Sequence, residues 1–541
     1  MSSSRKHAAT ALTGLLLGAT LLSGCASSAA PEAATSELQP QSGGELVHSV
    51  AAIADGWQQQ QSNNWYKSQV WAQLVDTLVY VDDAGTVYPW LAESWEVSDD
   101  GLTYTLTIRD GVTFSDGTPL TAEVVARNLN VLGLGEPDKG ITRSALIPVE
   151  FAGAEATDDL TVAVTLSSPN GGFIPSLGFF ATGIIGEATL DLPLEEQSAL
   201  ENLVGSGPFV FESEKPGQQI TIVRRDDYDW PSSVFEHTGP AYLDRIVFAA
   251  IPEDSARLGS LESGQIDSLH YVQPSEETRL IDEGWNLVYA DYLGTPINIV
   301  LRPEAEIVDD VRVRQALQVG IDREELVSTV YNENWNAATS TVQKAAPGWV
   351  DLSDELAYDP EAAEELLDAA GWSQKNAEGI RVRDGQTLTL PGYTSPNLNT
   401  SPSILELVAQ QLRDIGIDLQ LSTTDATTYV EIFNSAATPA ITTANTFLDI
   451  ATLKQYWGTS AVNQFKLTTD VLDPFLLDVA ETTAGTPERD AAARTLQEET
   501  VREAYTIPLV DNYQVFVTSP EVHGLTTNAV GRPYFYEVWK E

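Results

Sequence analysis

The residue types that most often carry out chemistry are few and scattered in this sequence. The 541-residue chain has one cysteine and five histidines. It contains no His-Glu-x-x-His zinc motif, no Gly-x-Ser-x-Gly nucleophile elbow and no Gly-x-x-x-x-Gly-Lys phosphate loop. We therefore expect a protein that is not an enzyme, with no cofactor and no metal site. A hydrolase built from acidic residues distant in sequence remains an alternative, which turnover of a bound solute would favour.

The single cysteine, Cys25, is instead placed where a lipid could be attached to it. It ends the run Leu22-Ser23-Gly24-Cys25, which resembles the lipobox of bacterial lipoproteins. A short positive region at Arg5 and Lys6 and an apolar run up to Leu22 precede it, which is typical of a secretory signal. The resemblance implies that residues 1–24 are removed and that Cys25 is acylated more than once, because a single acyl chain binds a membrane weakly.

Charge and composition exclude some partners. The formal net charge of −49 predicts a surface that repels nucleic acid and anionic lipid head groups. Because the acidic residues are scattered rather than clustered, they favour solubility over a cation-binding role. Residues 25–44, which are rich in Ser, Ala, Pro, Gln and Gly, predict a flexible tether. No stretch beyond the signal has the apolar length of a membrane-spanning helix.

The first half of the body combines strands with an α/β unit. Residues 45–50 predict an opening strand, and residues 102–108 and 160–166 alternate apolar and polar, as half-buried strands do. We expect the β-rich stretch 79–201 to form a unit of its own. Residues 245–272 then predict strand, helix, strand, an order that indicates a crossover connection.

Helices are more frequent in the second half. Asp359 caps a predicted helix with Pro360 at its first position, and Gly371 ends it. A second helix is predicted after Ser403 as its cap, and a strand from Ile417 to Leu421 follows it directly. This helix–strand order again favours an α/β fold.

One long block resembles the signature of a known family. Residues 89–125 read PWLAESWEVSDDGLTYTLTIRDGVTFSDGTPLTAEVV, which resembles family 5 of the solute-binding proteins of ABC importers. That family includes oligopeptide-, dipeptide- and nickel-binding proteins. Further blocks follow in the family's order and cover nearly all of the body: GSGPF at 205–209, GQID at 264–267, Asn298, VRVRQAL at 311–317, YDPEAA at 358–363 and AGW at 370–372.

The resemblance implies an α/β fold of two lobes, the type II-like Venus-flytrap fold of periplasmic binding proteins. The first lobe would comprise residues 45–78, 202–294 and 506–541, with residues 79–201 as an extra β-rich domain inserted in it. Residues 295–505 would form the second lobe. Two chain crossings, near 294–300 and 506–509, would act as the hinge, and closure around the solute would create the state that the permease recognises.

The family's pattern also indicates where the solute would lie. Trp57, in the loop 55–65, offers a flat surface, and Tyr271 and Tyr393 would face the cleft from the two lobes. In peptide-binding members, Trp-x-x-Asp-Tyr-x-Asp-Pro supplies an aspartate for the ammonium group of the ligand. The corresponding stretch holds four predicted ligand-binding residues: Asn445, Thr446, Phe447 and Asp449.

Thr446 occupies the position of that aspartate, and Asp449 occupies the later one. A buried ammonium group needs a counter-charge, so this departure disfavours an ordinary peptide with a free amine. Peptide remains the expected solute. A nickel chelate, an oligosaccharide, haem and an opine-like metabolite remain alternatives. So does a structural or adhesive surface protein, which failure to close on any solute would favour.

The resemblance thus implies a monomer on the extracytoplasmic face of the cell membrane, held there by its lipid. Its partners would be a small solute and the permease subunits of an ABC importer.

Cys25→Ser should move the protein from the membrane fraction to the soluble fraction, because no thiol is left to acylate. Fractionation and immunoblotting measure this, with Ser27→Ala as the control. Retention of the Cys25→Ser variant in the membrane would contradict the lipoprotein prediction.

Overall fold

The computed structural model describes residues 39–53, 56–61, 65–394, 402–424, 426–435 and 438–541. Cys25 and most of the predicted tether lie outside these ranges, as does Asp55. Contacts join residues 40–541 into one unit. Within the described ranges, no helix has both the length and the apolar character that a membrane crossing requires.

The largest sheet has seven strands, and the predicted opening strand lies at its centre. Strand Glu45–Val50 pairs in parallel with Arg245–Ala250 on one side and with Ser268–His270 on the other. The helix Asp254–Glu262 connects those two neighbours, which confirms the predicted strand–helix–strand crossover. The order across the sheet is Asn286–Ala290, Gln514–Thr518, Ser268–His270, Glu45–Val50, Arg245–Ala250, Gln219–Arg224 and Phe209–Lys215.

A second sheet of five strands is built mainly from the later half of the chain. Its order is Asp418–Thr423, Thr389–Thr394, Ala440–Thr443, Ile297–Leu301 and Thr506–Val510. Helix Pro402–Asp414 connects the first two strands, which run in parallel. The prediction that Ser403 caps this helix was wrong, because the helix begins at Pro402 and includes Ser403 in its first turn.

The cap of an earlier helix is as predicted. Helix Pro360–Ala369 has Asp359 at its N-terminus, and the Asp359 carboxylate accepts a hydrogen bond of 2.9 Å from the backbone N–H of Ala362. Pro360 occupies the first position, where no N–H is needed, so the local sequence alone determines where this helix starts.

The stretch 79–201 contains a four-stranded antiparallel sheet that packs on one helix. The strand order is Ala92–Val97, Thr103–Ile108, Thr161–Leu166 and Phe151–Asp158, and the helix is Ala122–Leu134. This confirms both of the alternating strands. The apolar core of this sheet is continuous with that of the seven-stranded sheet, since Leu106 and Val164 belong to the same buried cluster as Leu46 and Ile246.

The remaining elements are shorter or flank the sheets. The other α-helices are Trp65–Leu74, Phe173–Ser176, Glu187–Leu190, Leu194–Gln197, Pro274–Glu283, Val311–Val319, Arg323–Val330, Ala426–Phe433, Leu453–Trp457, Asp473–Glu481 and Pro487–Glu503. Short 3₁₀ turns are Gln59–Gln61, Pro137–Lys139, Phe180–Thr182, Leu200–Asn202 and Ile450–Thr452. Three two-stranded sheets pair Val79–Val81 with Val87–Pro89, Val522–His523 with Trp539–Lys540, and Thr526–Thr527 with Pro533–Tyr534. A three-stranded sheet has the order Gln374–Lys375, Arg381–Arg383 and Gln386–Thr387.

The chain passes between the two large sheets at two neighbouring places. Residues 291–296 lead from strand Asn286–Ala290 to Ile297–Leu301, and residues 511–513 lead from Thr506–Val510 to Gln514–Thr518. Strands Ile297–Leu301 and Thr506–Val510 pair with each other, so the crossings emerge side by side. We call these two segments, 291–296 and 511–513, the crossings.

Buried Gln343 ties the two crossings together. Its side-chain amide donates to the carbonyl of Tyr292 at 2.6 Å, and its side-chain oxygen accepts from the backbone N–H of Asn512 at 2.5 Å. Its own backbone N–H donates to the carbonyl of Gly294 at 2.8 Å. A side chain at Gly294 would place its Cβ only 2.1 Å from the carbonyl oxygen of Asn445, so glycine alone fits this position.

Candidate functional site

A cavity of about 330 Å³ lies against the two crossings. Its lining comes from the seven-stranded sheet, from both crossings, from residues 444–464, which follow a strand of the five-stranded sheet, and from the 79–201 stretch. Its position beside the crossings means that a change in the relation of the two sheets would change the shape of the cavity. We call it the central cavity.

The floor of the central cavity consists of polar side chains of the crossings. The Asn512 side-chain amide donates to the Tyr292 hydroxyl at 2.5 Å, which links one crossing to the other. Within the described ranges, the side-chain oxygen of Asn512 is buried without a hydrogen-bond partner. Burial of an unsatisfied acceptor is costly, so this atom favours a ligand that supplies an N–H or O–H donor.

Residues 444–456 of the later half form the opposite wall. The carbonyl of Thr446 accepts a hydrogen bond of 2.9 Å from the Tyr456 hydroxyl. The backbone N–H of Asn445 donates to the Thr295 hydroxyl at 2.9 Å, and Thr446 makes a short antiparallel bridge with Gly294. These bonds fix the segment directly beside the first crossing.

A third wall of the central cavity is formed by stacked side chains on and beside the seven-stranded sheet. The guanidinium of Arg532 lies over the ring of Trp65, 3.8 Å from the ring centroid. The indole N–H of Trp65 donates to His270 Nδ1 at 2.9 Å, and His270 Nε2 lies 3.0 Å from the Gln514 side-chain oxygen. His270 is thus a neutral imidazole with both nitrogens occupied, and burial keeps its pKa well below the usual value.

An ion pair beside the cavity joins the 79–201 stretch to the later half of the chain. Ala145 and Leu146 line the cavity, and nearby Glu150 accepts a hydrogen bond of 2.6 Å from the Lys454 ammonium. Both side chains are at least nine-tenths buried, and Asn170 donates to the second Glu150 oxygen at 3.0 Å. Removing one partner of such a pair leaves an uncompensated buried charge, so the pair couples these two parts of the chain.

Arg532 is the only charged side chain among the described residues that line the central cavity. Five of the other lining side chains are carboxamides: Asn445, Gln455, Gln464, Asn512 and Gln514. No group of three or more His, Cys, Asp and Glu side chains able to hold a metal ion occurs in the part of the chain that the structure describes. The central cavity is therefore suited to hydrogen bonding with amides and to attraction of an anion.

Two of the predicted ligand-binding residues line the central cavity, namely Asn445 and Thr446. Their neighbours Phe447 and Asp449 are buried and do not belong to its lining. The Asp449 carboxylate pairs with buried Arg489 and accepts a hydrogen bond of 2.8 Å from the backbone N–H of Ala451. These contacts give Asp449 a structural task, and the role of Phe447 and Asp449 in binding a solute stays a prediction.

The other three predicted residues lie apart from the central cavity. Trp57 is buried and lines a separate depression with Glu201 and Glu212. Tyr271 follows a strand of the large sheet with a φ of +66°, and its hydroxyl is buried without a partner among the described residues. Tyr393 lies in strand Thr389–Thr394 of the second sheet. The structure thus does not bring these three together with Asn445 and Thr446.

Sequence reasoning missed several residues of the site, above all Tyr292, Asn512 and Arg532. None of them belongs to a short motif, and Tyr292 lies 220 residues before Asn512 in the chain. Trp65 is the last residue of the loop 55–65, which the family's pattern places at the solute. That position is the one signal in the sequence for a role of Trp65 in the site. Only the pairing of distant strands brings the group together.

Comparison with known proteins agrees with this architecture. The model of the bacterial extracellular solute-binding proteins, family 5 middle, matches residues 86–463. The oligopeptide-binding protein AppA of Bacillus subtilis is 28% identical over 443 residues, which cover 80% of this chain and 78% of that protein. The glutathione-binding protein GsiB of Salmonella paratyphi A is 29% identical over 343 residues, 62% of this chain and 61% of that protein.

A solved structure gives the fold. The crystal structure of NikA from Brucella suis in complex with Fe(III)-EDTA aligns with a TM-score of 0.78 and 22% identity, over 92% of this chain and 100% of that one. This likeness shows the α/β fold of periplasmic binding proteins, with mixed sheets.

One buried acid next to the site predicts a pH dependence. Asp511, in the second crossing, is 5% exposed, and burial, aided by the charge of Asp291 and opposed by Lys344, raises its pKa to about 7. Because the pKa of Asp511 is raised on folding, folding favours the protonated carboxyl group. The contribution of this group to stability is therefore present below about pH 4 and is lost as the pH rises to about 7. Asp511→Asn should therefore be more stable than the wild type at pH 8, by on the order of 2–4 kcal/mol, and no more stable at pH 4.

Urea denaturation of both proteins at pH 4, 6 and 8 measures this difference. Asp351→Asn, at an exposed position, is the control and should show no trend with pH. A wild-type–variant difference that stays constant between pH 4 and pH 8 would show that the pKa of Asp511 is the same in the folded and the unfolded protein, which would contradict the prediction.

Proposed function

We propose, because this chain belongs to family 5 of the bacterial extracellular solute-binding proteins, that it captures a small peptide in the central cavity and delivers it to an ABC importer. Family membership makes it an extracytoplasmic solute-binding protein rather than an enzyme. The observation that carries the peptide assignment is the lining of the central cavity by carboxamide side chains.

Five carboxamides offer both donors and acceptors, as the backbone of a peptide does. Sugars also bind carboxamides, but their rings commonly stack on exposed aromatic faces, whereas the face of Trp65 is covered by Arg532. The volume of about 330 Å³ is at the small end for a ligand pocket and suits a short peptide. The relatives named for oligopeptides and glutathione support the same class.

Thr446 determines how the N-terminus of such a peptide is held. The described lining of the central cavity contains no carboxylate, so an ammonium group there would lack a counter-charge. We propose that Asn445 and Thr446 contact the solute by hydrogen bonds and that peptides with a blocked or distant amine are preferred over those with a free α-amine.

Closure would follow from the two-lobe organisation. The proposed lobes are residues 45–78, 202–294 and 506–541, with the insertion 79–201, against residues 295–505. The pair of Glu150 with Lys454 joins the insertion to the second lobe beside the cavity, which supports its role as a contact of the closed state. Cys25 would anchor the protein to the membrane near the permease.

Native mass spectrometry of the gently purified protein tests the proposed function. The expected result is a series of added masses that match short peptides, lost on denaturation. A single added mass that fits no peptide would keep the family and contradict the peptide assignment.

An engineered carboxylate tests the role of Thr446. Thr446→Asp should strengthen the binding of Ala-Ala-Ala about tenfold or more relative to N-acetyl-Ala-Ala-Ala, because the new carboxylate pairs with the free ammonium. Calorimetry with both peptides measures the ratio, and Thr446→Asn is the uncharged control. An unchanged ratio would show that the ammonium does not lie at position 446.

A further inference from the structure

We propose that the solute presents a carboxylate to Arg532 in the central cavity. This inference rests on the proposed function, since it concerns the same cavity, and it adds the charge of the group that the site selects. The sequence gives no hint of it, because Arg532 lies in the C-terminal segment, outside any motif that we identified.

Arg532 is held firmly with part of its hydrogen-bonding capacity unused. The side chain is 5% exposed and stacks on Trp65, with Phe180 at 5.2 Å from its guanidinium carbon. Its Nε donates to the Ser68 hydroxyl at 2.8 Å, and one terminal nitrogen donates to the carbonyl of Val530. A guanidinium carries five N–H donors, so these two neutral acceptors leave several without a partner among the described residues.

The other buried arginines are satisfied in one of two ways. Most have a carboxylate partner, as Arg489 has Asp449 and Arg225 has Asp227. Arg302 and Arg323 lack one, but each donates to four backbone carbonyls. Among the described residues, Arg532 has neither an ion pair nor such a set of carbonyls, and it is the one that lines the cavity.

The Arg532 guanidinium keeps its charge at neutral pH. Burial lowers its pKa to about 9, which is still above 7. An enclosed cation without a counter-ion is unfavourable, and a carboxylate binds a guanidinium through two parallel hydrogen bonds. The stacking on Trp65 keeps the guanidinium in a fixed plane, which preserves this geometry when the cavity is empty.

The rest of the cavity explains why the anion should belong to a peptide-like solute. Arg532 lies on the wall formed with Trp65, whereas Asn445 and Thr446 lie on the wall from the later half of the chain. A solute with a carboxylate at one end and amide groups along its length would match both walls. The protein's net charge of −49 repels anions in general, so a fixed cation inside the cavity is needed to retain one.

A comparison of two solutes tests this on the unmodified protein. N-acetyl-Ala-Ala and its C-terminal amide differ only in the carboxylate, so isothermal calorimetry of both on the purified full-length protein isolates that group. The acid should bind at least tenfold more tightly than the amide. Equal affinities, or tighter binding of the amide, would overturn the inference.

Variants locate the effect. Sodium acetate at pH 7 should raise the melting temperature of the wild type more than sodium chloride of equal ionic strength. Arg532→Gln should abolish this acetate effect, and Arg532→Lys should retain part of it. The matched control is Arg225→Gln, because Arg225 is also buried and stacked on a tryptophan but is not part of the cavity lining, so it should leave the acetate effect unchanged.

The two proposals can fail separately. If acetate stabilises the wild type through Arg532 but neither alanine peptide binds, the carboxylate site stands and the peptide assignment fails. If the peptides bind but acid and amide are equal, and acetate acts equally on the wild type and Arg532→Gln, the peptide assignment stands and the carboxylate site is refuted.

Discussion

The site depends on one constraint, that the chain passes between its two large sheets twice at the same place. Gln343 hydrogen-bonds to Tyr292, Gly294 and Asn512, so both crossings are held by a single buried side chain and its backbone. Gly294 has no room for a side chain against Asn445. These contacts bring Tyr292 and Asn512 together as the floor of the central cavity, and any motion of one sheet relative to the other must act on this floor.

Two kinds of buried charge matter for the site, namely those in ion pairs and the charge of Arg532. Glu150 with Lys454 and Asp449 with Arg489 are buried pairs, and such pairs are favourable only when both partners are present. Neither pair belongs to the lining of the central cavity, which is largely neutral. Arg532 stands apart from them, because no carboxylate of the described residues pairs with it. The same fold thus uses paired charges to fix its parts and an unpaired charge to attract a solute.

Much of the fold followed from local sequence, whereas the site did not. Alternation at 102–108 and 160–166 predicted the strands Thr103–Ile108 and Thr161–Leu166, and the cap at Asp359 predicted the start of a helix, because both signals depend on neighbouring residues. Ser403 was misassigned as the cap because the residue before it, Pro402, also suits the start of a helix and is the first helical residue. Asn445 and Thr446 could be placed by their family position, but Arg532 meets Trp65 only through the pairing of strands far apart in sequence.

The most direct test of the proposed solute site is a crystal structure of the protein with the solute that it carries from the cell. We expect density for a small solute in the central cavity, with an anionic group within hydrogen-bonding distance of Arg532 and amide groups beside Asn445 and Thr446. A solute seated instead in the depression beside Trp57, with the central cavity filled only by water, would contradict it.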